Sequence, residues 1–321
     1  MIITLIVTSS VPIVFWQDFA TCLGLCSNGQ HSAYHYGEQT CFSARRTCQA
    51  WRHVERLTHM HEHHQHIIAR LVDRFAGDPL YPAVIIGGSV AKGRARPDSD
   101  VDIMLITTDE EWARRQASGD LWYASLETIG DTQVFVDGKI YGLAFLQEVA
   151  AHGSEPARAA FDSAFPAYCR IPQLEALIGR ILTYPESDRD SKMRSFYSQV
   201  ALLGRFFVGE AAKRDDRYLM SHAVSDLVLF GCRLVLAYNR ILYPYHKWLM
   251  WEVERAPEKP EGFMQLIQDV LARPGVDTAE AFCRGLDEWH EWGVSLDQAV
   301  GSFIVDSEWN WRFGVAPVYD R

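Results

Sequence analysis

The sequence predicts an α/β (α+β) protein, in which a small domain with a mixed sheet precedes an all-helical bundle. Two short apolar runs, "AVII" at 83–86 and "VDIMLI" at 101–106, are typical of buried strands. After residue 190 the apolar residues recur instead at helical spacing. We therefore expect an irregular N-terminal extension at 1–59, a sheet domain at 60–185 and a helical domain at 186–321.

The first 59 residues show neither helical nor strand periodicity, and an ordinary pattern begins at Met60. We hypothesise that this extension is not part of the native domain and that Met60 is the native start. Its four cysteines do not have paired zinc-ligand spacing, because only one pair is close enough. These cysteines are Cys22, Cys26, Cys41 and Cys48. Seven cysteines in all, an odd number, favour reduced thiols over a disulfide scaffold.

Charge and hydropathy limit the kinds of partner. The formal net charge is −10, which argues against general attraction to nucleic acid or to an anionic membrane. No apolar run of about 18 residues is evident, and the apolar N-terminus lacks the positive region of a secretion signal. We expect a cytoplasmic protein with no membrane partner, which binds any phosphate-bearing ligand at a local site.

The sheet domain is predicted to begin with a helix after Met60, whose apolar face ends near Gly77. The strand at 83–86, a turn and the strand at 101–106 follow, and residues 109–127 are predicted to form a helix. Residues 132–146 contain Asp137-Gly138 between two β-rich arms, a strong signal for a hairpin turn. Helices are then expected at about 147–163 and 172–183.

The helical domain is predicted from four segments with apolar spacing of i, i+3 or i+4. These segments are 191–214, 217–242, 261–275 and 278–301. Prolines separate some of them, and such a pattern is typical of a helical bundle.

Five histidines lie near the start of the first predicted helix: His59, His61, His63, His64 and His66. His59, His63 and His66 share a helical face, which raises the alternative of a metal site. No cysteine or carboxylate completes a ligand set there, so solvated side chains are the expected interpretation.

Two aspartates at the second strand indicate a metal site. Residues two apart on a strand face the same side, so Asp100 and Asp102 are expected to point together. Such a pair repels unless a cation lies between the carboxylates, and hard oxygen ligands suit Mg²⁺. Upstream, Gly87 and Gly88 permit a sharp turn, and Ser89 offers a hydroxyl and an N–H to an anion at a helix start.

The pattern Gly88-Ser89-x₃-Gly93-x₅-Ser99-Asp100-x-Asp102 resembles the polymerase-beta-like nucleotidyltransferase superfamily. It looks closest to the small bacterial branch that includes aminoglycoside and lincosamide nucleotidyltransferases and the MNT proteins. The motif covers about 15 residues, and its strand–turn–helix–strand context is the one expected.

The resemblance implies an enzyme that transfers a nucleoside monophosphate from a nucleoside triphosphate, with ATP expected, to a hydroxyl of a small molecule or protein. It implies Asp100 and Asp102 as catalytic metal ligands and two Mg²⁺ ions in the active complex. The expected nucleotide contacts are Gly87, Gly88, Ser89, Lys92, Ser99 and Lys247.

One departure from the family leaves an alternative open. Members usually carry a third acid on a later strand, and in "KIYGLAFL" the position where we expect it is Gly142. A degenerate nucleotide-binding or antitoxin-like module is therefore the alternative function. A ribonuclease that uses Arg217 and His222, which match a loose R-x₄₋₆-H pattern, is a third and weaker interpretation.

Overall fold

The computed structural model describes residues 60–314 and 316–320. These residues belong to one compact unit, His53–Arg321. The expectations for residues 1–59, including the native start, the four cysteines and His59, lie outside the described residues. The predicted division of the chain at residues 59 and 185 stays a prediction.

A mixed five-stranded sheet follows the first helix, in the strand order β3-β4-β2-β1-β5. The parallel pair is β2 with β4, and the pairs β1–β2, β1–β5 and β3–β4 are antiparallel. The strands are β1 (Ala83–Ile86), β2 (Val101–Thr107), β3 (Trp122–Ile129), β4 (Thr132–Gly142) and β5 (Phe165–Cys169). The helices around them are α1 (Glu62–Ala76), α2 (Gly88–Ala91), α3 (Asp109–Ser118), α4 (Leu143–His152), α5 (Glu155–Ala159) and α6 (Leu174–Ile181).

The two faces of the sheet have different neighbours, because side chains alternate along each strand. One face packs against α1 through a cluster that includes Ile67, Leu71, Val84, Ile103 and Val136. The other face is covered near the carboxyl end of β2, where Met104 and Ile106 pack against α4 and α6. Asp102 and Asp137 lie on this second face by the same alternation.

After the sheet, residues 174–313 are largely helical, as predicted. The helices are α7 (Arg189–Leu202), α8 (Val208–Arg214), α9 (Arg217–Tyr238), α10 (His246–Arg255), α11 (Phe263–Ala272), α12 (Val276–Trp289), α13 (Leu296–Ser307) and α14 (Asn310–Phe313). A π-helical turn, Leu203–Phe207, joins α7 to α8. By length and hydropathy α9 could cross a membrane, contrary to our expectation, but 67% of its apolar window is buried. It is the core helix of the bundle.

Two predictions about the middle of the sheet domain are wrong. The helix expected over 109–127 ends at Ser118, and the edge strand β3 begins at Trp122. The hairpin turn is not at Asp137-Gly138, because β4 continues through both residues. The chain instead turns between β3 and β4 at Gly130 and Asp131, where Gly130 has a φ of +58°.

Candidate active site

The turn after β1 is shaped around the carboxylate of Asp102. Gly88 has a φ of +59°, and a Cβ added there would overlap the Asp102 side chain. The Gly87 N–H donates to the Asp102 carbonyl oxygen at 2.9 Å, and the Ser89 N–H donates to the Asp102 carboxylate. Only glycine fits at position 88, because any side chain would displace this carboxylate.

A second strand brings a third carboxylate to the same place. In the parallel ladder between β2 and β4, Asp137 is the register partner of Asp102. Both side chains face the same side of the sheet, and the Asp137 charge contributes to the raised pKa of Asp102. Asp137 Oδ1 also accepts a hydrogen bond from the Trp122 indole on β3. Asp100, Asp102 and Asp137 therefore form one acidic cluster.

The structure does not place Gly142, the position where we expected the third acid, beside Asp102. Gly142 pairs with Thr107 at the end of β4, five positions beyond the partner of Asp102. A glycine at position 142 is explained by steric crowding, because a Cβ there would lie 2.8 Å from the Trp112 ring. Asp137, and not Gly142, is the register partner of Asp102, so Asp137 is the candidate for the third acid.

The electrostatics of the cluster favour a bound cation. Burial raises the pKa of Asp102, and the neighbouring charge of Asp100 raises it further. Lys247, on the first turn of α10, opposes this shift and lowers the pKa of Asp102, so the bundle contributes a cation to the site. A divalent cation would remove the repulsion among the carboxylates more fully than one exposed lysine.

The donor set fits magnesium held jointly with a substrate. In the described residues, no three His, Cys, Asp or Glu side chains converge as a preformed metal cage. Mg²⁺ does not need such a cage, because proteins hold it through one or two carboxylates together with waters and substrate phosphates. Beside the cluster, the Ser89 hydroxyl is buried and has no hydrogen-bond partner among the described residues. That hydroxyl is free to donate to a phosphate oxygen.

Three other groups that we expected to contact the nucleotide have partners within the protein. The Ser89 N–H, expected to hold a phosphate, is taken by Asp102, and α2 is only four residues long. Lys92 is nearly buried and pairs with Asp162, which partly neutralises it. The Ser99 hydroxyl accepts a hydrogen bond from the Arg96 N–H at 2.9 Å and so shapes the loop before Asp100. Their contact with a nucleotide stays a prediction.

An arginine that the sequence analysis missed joins the sheet domain to α10. The Arg94 guanidinium lies over the Trp251 ring, 3.0 Å from its centroid, and 5.4 Å from that of Trp248. Burial lowers the pKa of Arg94, and its Nη1 has no hydrogen-bond partner in the part of the chain that the structure describes. This contact packs Arg94 against α10, the helix that carries Lys247.

Three histidines at the start of α1, His61, His63 and His64, are structural, which the sequence did not indicate. The Nε2 atoms of His61, His63 and His64 contact every second carbonyl oxygen of the loop that leads into Asp100. These are the carbonyl oxygens of Ala95, Pro97 and Ser99, at 3.1, 2.9 and 3.0 Å. Since a carbonyl only accepts, each Nε2 carries the proton. His64 is fully buried. These imidazoles hold the loop rather than lying in solvent.

We expect His64→Leu to destabilise the fold by about 1–2 kcal/mol, because leucine has no donor and the Ser99 carbonyl loses its buried partner. Burial lowers the pKa of His64 from 6.5, so the unfolded chain binds its proton more tightly. The contribution of neutral His64 is therefore complete above its unfolded pKa and is lost as the pH falls below that value. Between about pH 7.5 and about pH 5.5, chemical denaturation should show a steeper loss of stability in the wild type than in the variant.

The matched control is His66→Leu, since His66 is exposed on the same helix. It should leave both the stability and its pH dependence unchanged. Equal behaviour of the two variants would contradict a structural role for His64.

The geometry gives the ribonuclease interpretation little support. Arg217 and His222 are five residues apart on α9, which separates them by about 140° around the helix. His222 instead contacts Asp226, one turn further on, at 3.3 Å between Nδ1 and Oδ2.

Comparisons with known proteins agree with this site. Residues 78–138 match the family model described as "Nucleotidyltransferase domain", a stretch that contains Gly88, Ser89, Asp100, Asp102 and Asp137. The chain thus carries a polymerase-beta-like nucleotidyltransferase domain, as the motif predicted.

Whole-chain comparisons give less. No match was found among curated proteins. Among solved structures, the chain is similar to a nucleotidyltransferase-like protein from Exiguobacterium sibiricum, with 12% identity and a TM-score of 0.43 over 74% of each chain.

Proposed function

We propose that this protein is a magnesium-dependent nucleotidyltransferase that moves a nucleoside monophosphate from a nucleoside triphosphate to a hydroxyl acceptor. ATP is the expected nucleotide, and a small molecule or a protein could supply the hydroxyl. The observation that carries the proposal is the pairing of Asp102 with Asp137 beside the Gly88-Ser89 turn. The mutual charge effects of Asp100, Asp102 and Asp137, and the unpartnered Ser89 hydroxyl beside Asp102, support the proposal.

Each group has a distinct task in the proposed reaction. Ser89 donates its hydroxyl to the phosphates, and Lys247 adds positive charge from the bundle side. The acceptor oxygen attacks the α-phosphorus, the bond to pyrophosphate breaks, and pyrophosphate leaves. Asp137 is the carboxylate that we assign to accept the proton of the acceptor hydroxyl. Bound magnesium would neutralise the phosphates and lower the pKa of that hydroxyl.

The first test is calorimetric binding of α,β-methylene-ATP, with and without Mg²⁺, which needs no acceptor. The wild type should bind at least about tenfold more tightly with Mg²⁺, and Asp100→Asn/Asp102→Asn should lose that difference. Asp98→Asn is the matched control, because Asp98 is exposed in the same loop and pairs with Arg96 at 3.0 Å. Equal affinity of the wild type for the nucleotide with and without Mg²⁺ would contradict the proposal. Mg²⁺-dependent binding without transfer would favour a nucleotide-binding module.

A further inference from the structure

An exposed apolar surface adjoins the catalytic carboxylates on the same face of the sheet. Trp122 and Leu126 on β3 are each 60% exposed, and Phe135 on β4 is 44% exposed. By strand alternation and register, all three side chains lie on the face that carries Asp102 and Asp137. We call these three residues the apolar platform.

The platform is continuous with the site because of how the Trp122 ring lies. Trp122 is the register partner of Lys139, yet its indole N–H reaches Asp137 and its ring is 6.5 Å from that of Phe135. The ring therefore extends along the sheet past Ala124, whose small side chain leaves the space. One end of the platform is thus in direct contact with the carboxylate assigned to the acceptor hydroxyl.

The strand order separates the two substrates. The free hydroxyl of Ser89 lies in the turn between β1 and β2, on one side of the acidic cluster. The platform lies on β4 and the edge strand β3, on the other side. If the phosphates occupy the Ser89 side, a hydroxyl that approaches Asp137 comes from the β3 side. The body of the acceptor then rests on the platform.

We propose that the acceptor is a small molecule that carries an apolar ring next to its reactive hydroxyl, and that this ring packs on Trp122, Leu126 and Phe135. The inference rests on the proposed function and names the acceptor class of the same site. Aromatic side chains with a single polar contact are well suited to orient such a ligand, since the rings supply contact area and Asp137 fixes the hydroxyl.

The test measures binding of the probe 2-phenylethanol to the full chain. Saturation-transfer NMR detects the binding, with Mg²⁺ and α,β-methylene-ATP present. The wild type should bind the probe through its ring, and Leu126→Gln/Phe135→Gln should weaken binding at least about fivefold. Leu296→Gln is the matched control, because Leu296 is 67% exposed on α13 in the helical region. It should bind the probe as the wild type does.

Nucleotide binding measured on the same samples separates this inference from the proposed function. A wild type that binds the Mg²⁺-nucleotide but not the probe would overturn the acceptor class and leave the proposed function intact. Probe binding that is equal in the platform variant would also overturn it. In a second titration that starts without the nucleotide, displacement of the bound probe by added α,β-methylene-ATP would show that the platform holds the nucleobase, which overturns the inference as well.

Discussion

Asp137→Asn is expected to lower the rate of nucleotidyl transfer by at least about 100-fold, while nucleotide binding changes only a few fold. Asp137 lies in register with Asp102 on the neighbouring strand. It is the carboxylate that we assign to the acceptor hydroxyl, so its loss removes the proton acceptor. Binding should survive, because in our proposal Ser89 and Asp102 lie on the nucleotide side. Pyrophosphate release from Mg²⁺-ATP, with glycerol as a generic hydroxyl acceptor, measures the effect.

Asp131→Asn is the control for this experiment. Asp131 is exposed in the turn between β3 and β4 and is six residues from Asp137. Its replacement should leave the rate unchanged. If Asp131→Asn abolished pyrophosphate release and Asp137→Asn did not, the assignment of the third carboxylate would be wrong.

Gly88→Ala should have the second large effect and should abolish Mg²⁺-dependent nucleotide binding. The new Cβ would overlap the Asp102 carboxylate, so the turn, the metal ligand or both must move. The positive φ of +59° adds backbone strain of about 1–2 kcal/mol to this clash. Calorimetry with α,β-methylene-ATP and thermal denaturation measure the two consequences.

Gly93→Ala separates the clash from the strain. Gly93 also has a positive φ, +65°, but a Cβ there would have no atom within 4 Å. The variant should lose about 1 kcal/mol of stability and keep its Mg²⁺-dependent binding. Equal loss of binding in both variants would show that strain of the loop, and not the contact with Asp102, explains the effect.

Local sequence patterns predicted the parts of the fold that depend on local physics. The apolar runs that became β1 and β2 are buried on both faces, and the four bundle segments keep helical spacing. The motif from Gly88 to Asp102 could also be recognised from the sequence, because a turn between two strands brings its residues together regardless of the rest of the chain. The family match over 78–138 is consistent with this.

At the Asp137-Gly138 dipeptide, strand pairing overrides the local preference for a turn. Its turn preference is real, but β4 pairs there with β2 on one side and β3 on the other, so the strand continues. A Cβ on Gly138 would lie 2.8 Å from Ile103, so the glycine permits close packing of the strands. The alternation of Val134, Val136 and Ile140 through this dipeptide was the signal for a continuous strand.

The role of the histidines could not have been predicted from local pattern. Their partners are carbonyl groups about 34 residues away. Every residue has a backbone carbonyl, so residue types do not indicate which one accepts a hydrogen bond. The same is true of the Trp122 indole, whose contact with Asp137 depends on the register of β3 against β4. Such contacts arise from tertiary packing, which the spacing of residues along the chain does not encode.

Anomalous scattering from manganese, in crystals grown with Mn²⁺ and α,β-methylene-ATP, tests the assignment of the metal site directly. We expect a manganese peak bound by Asp100 and Asp102, with Asp137 beside it and the phosphates toward Ser89. Manganese bound only by the phosphates, or at carboxylates elsewhere in the chain, would contradict it.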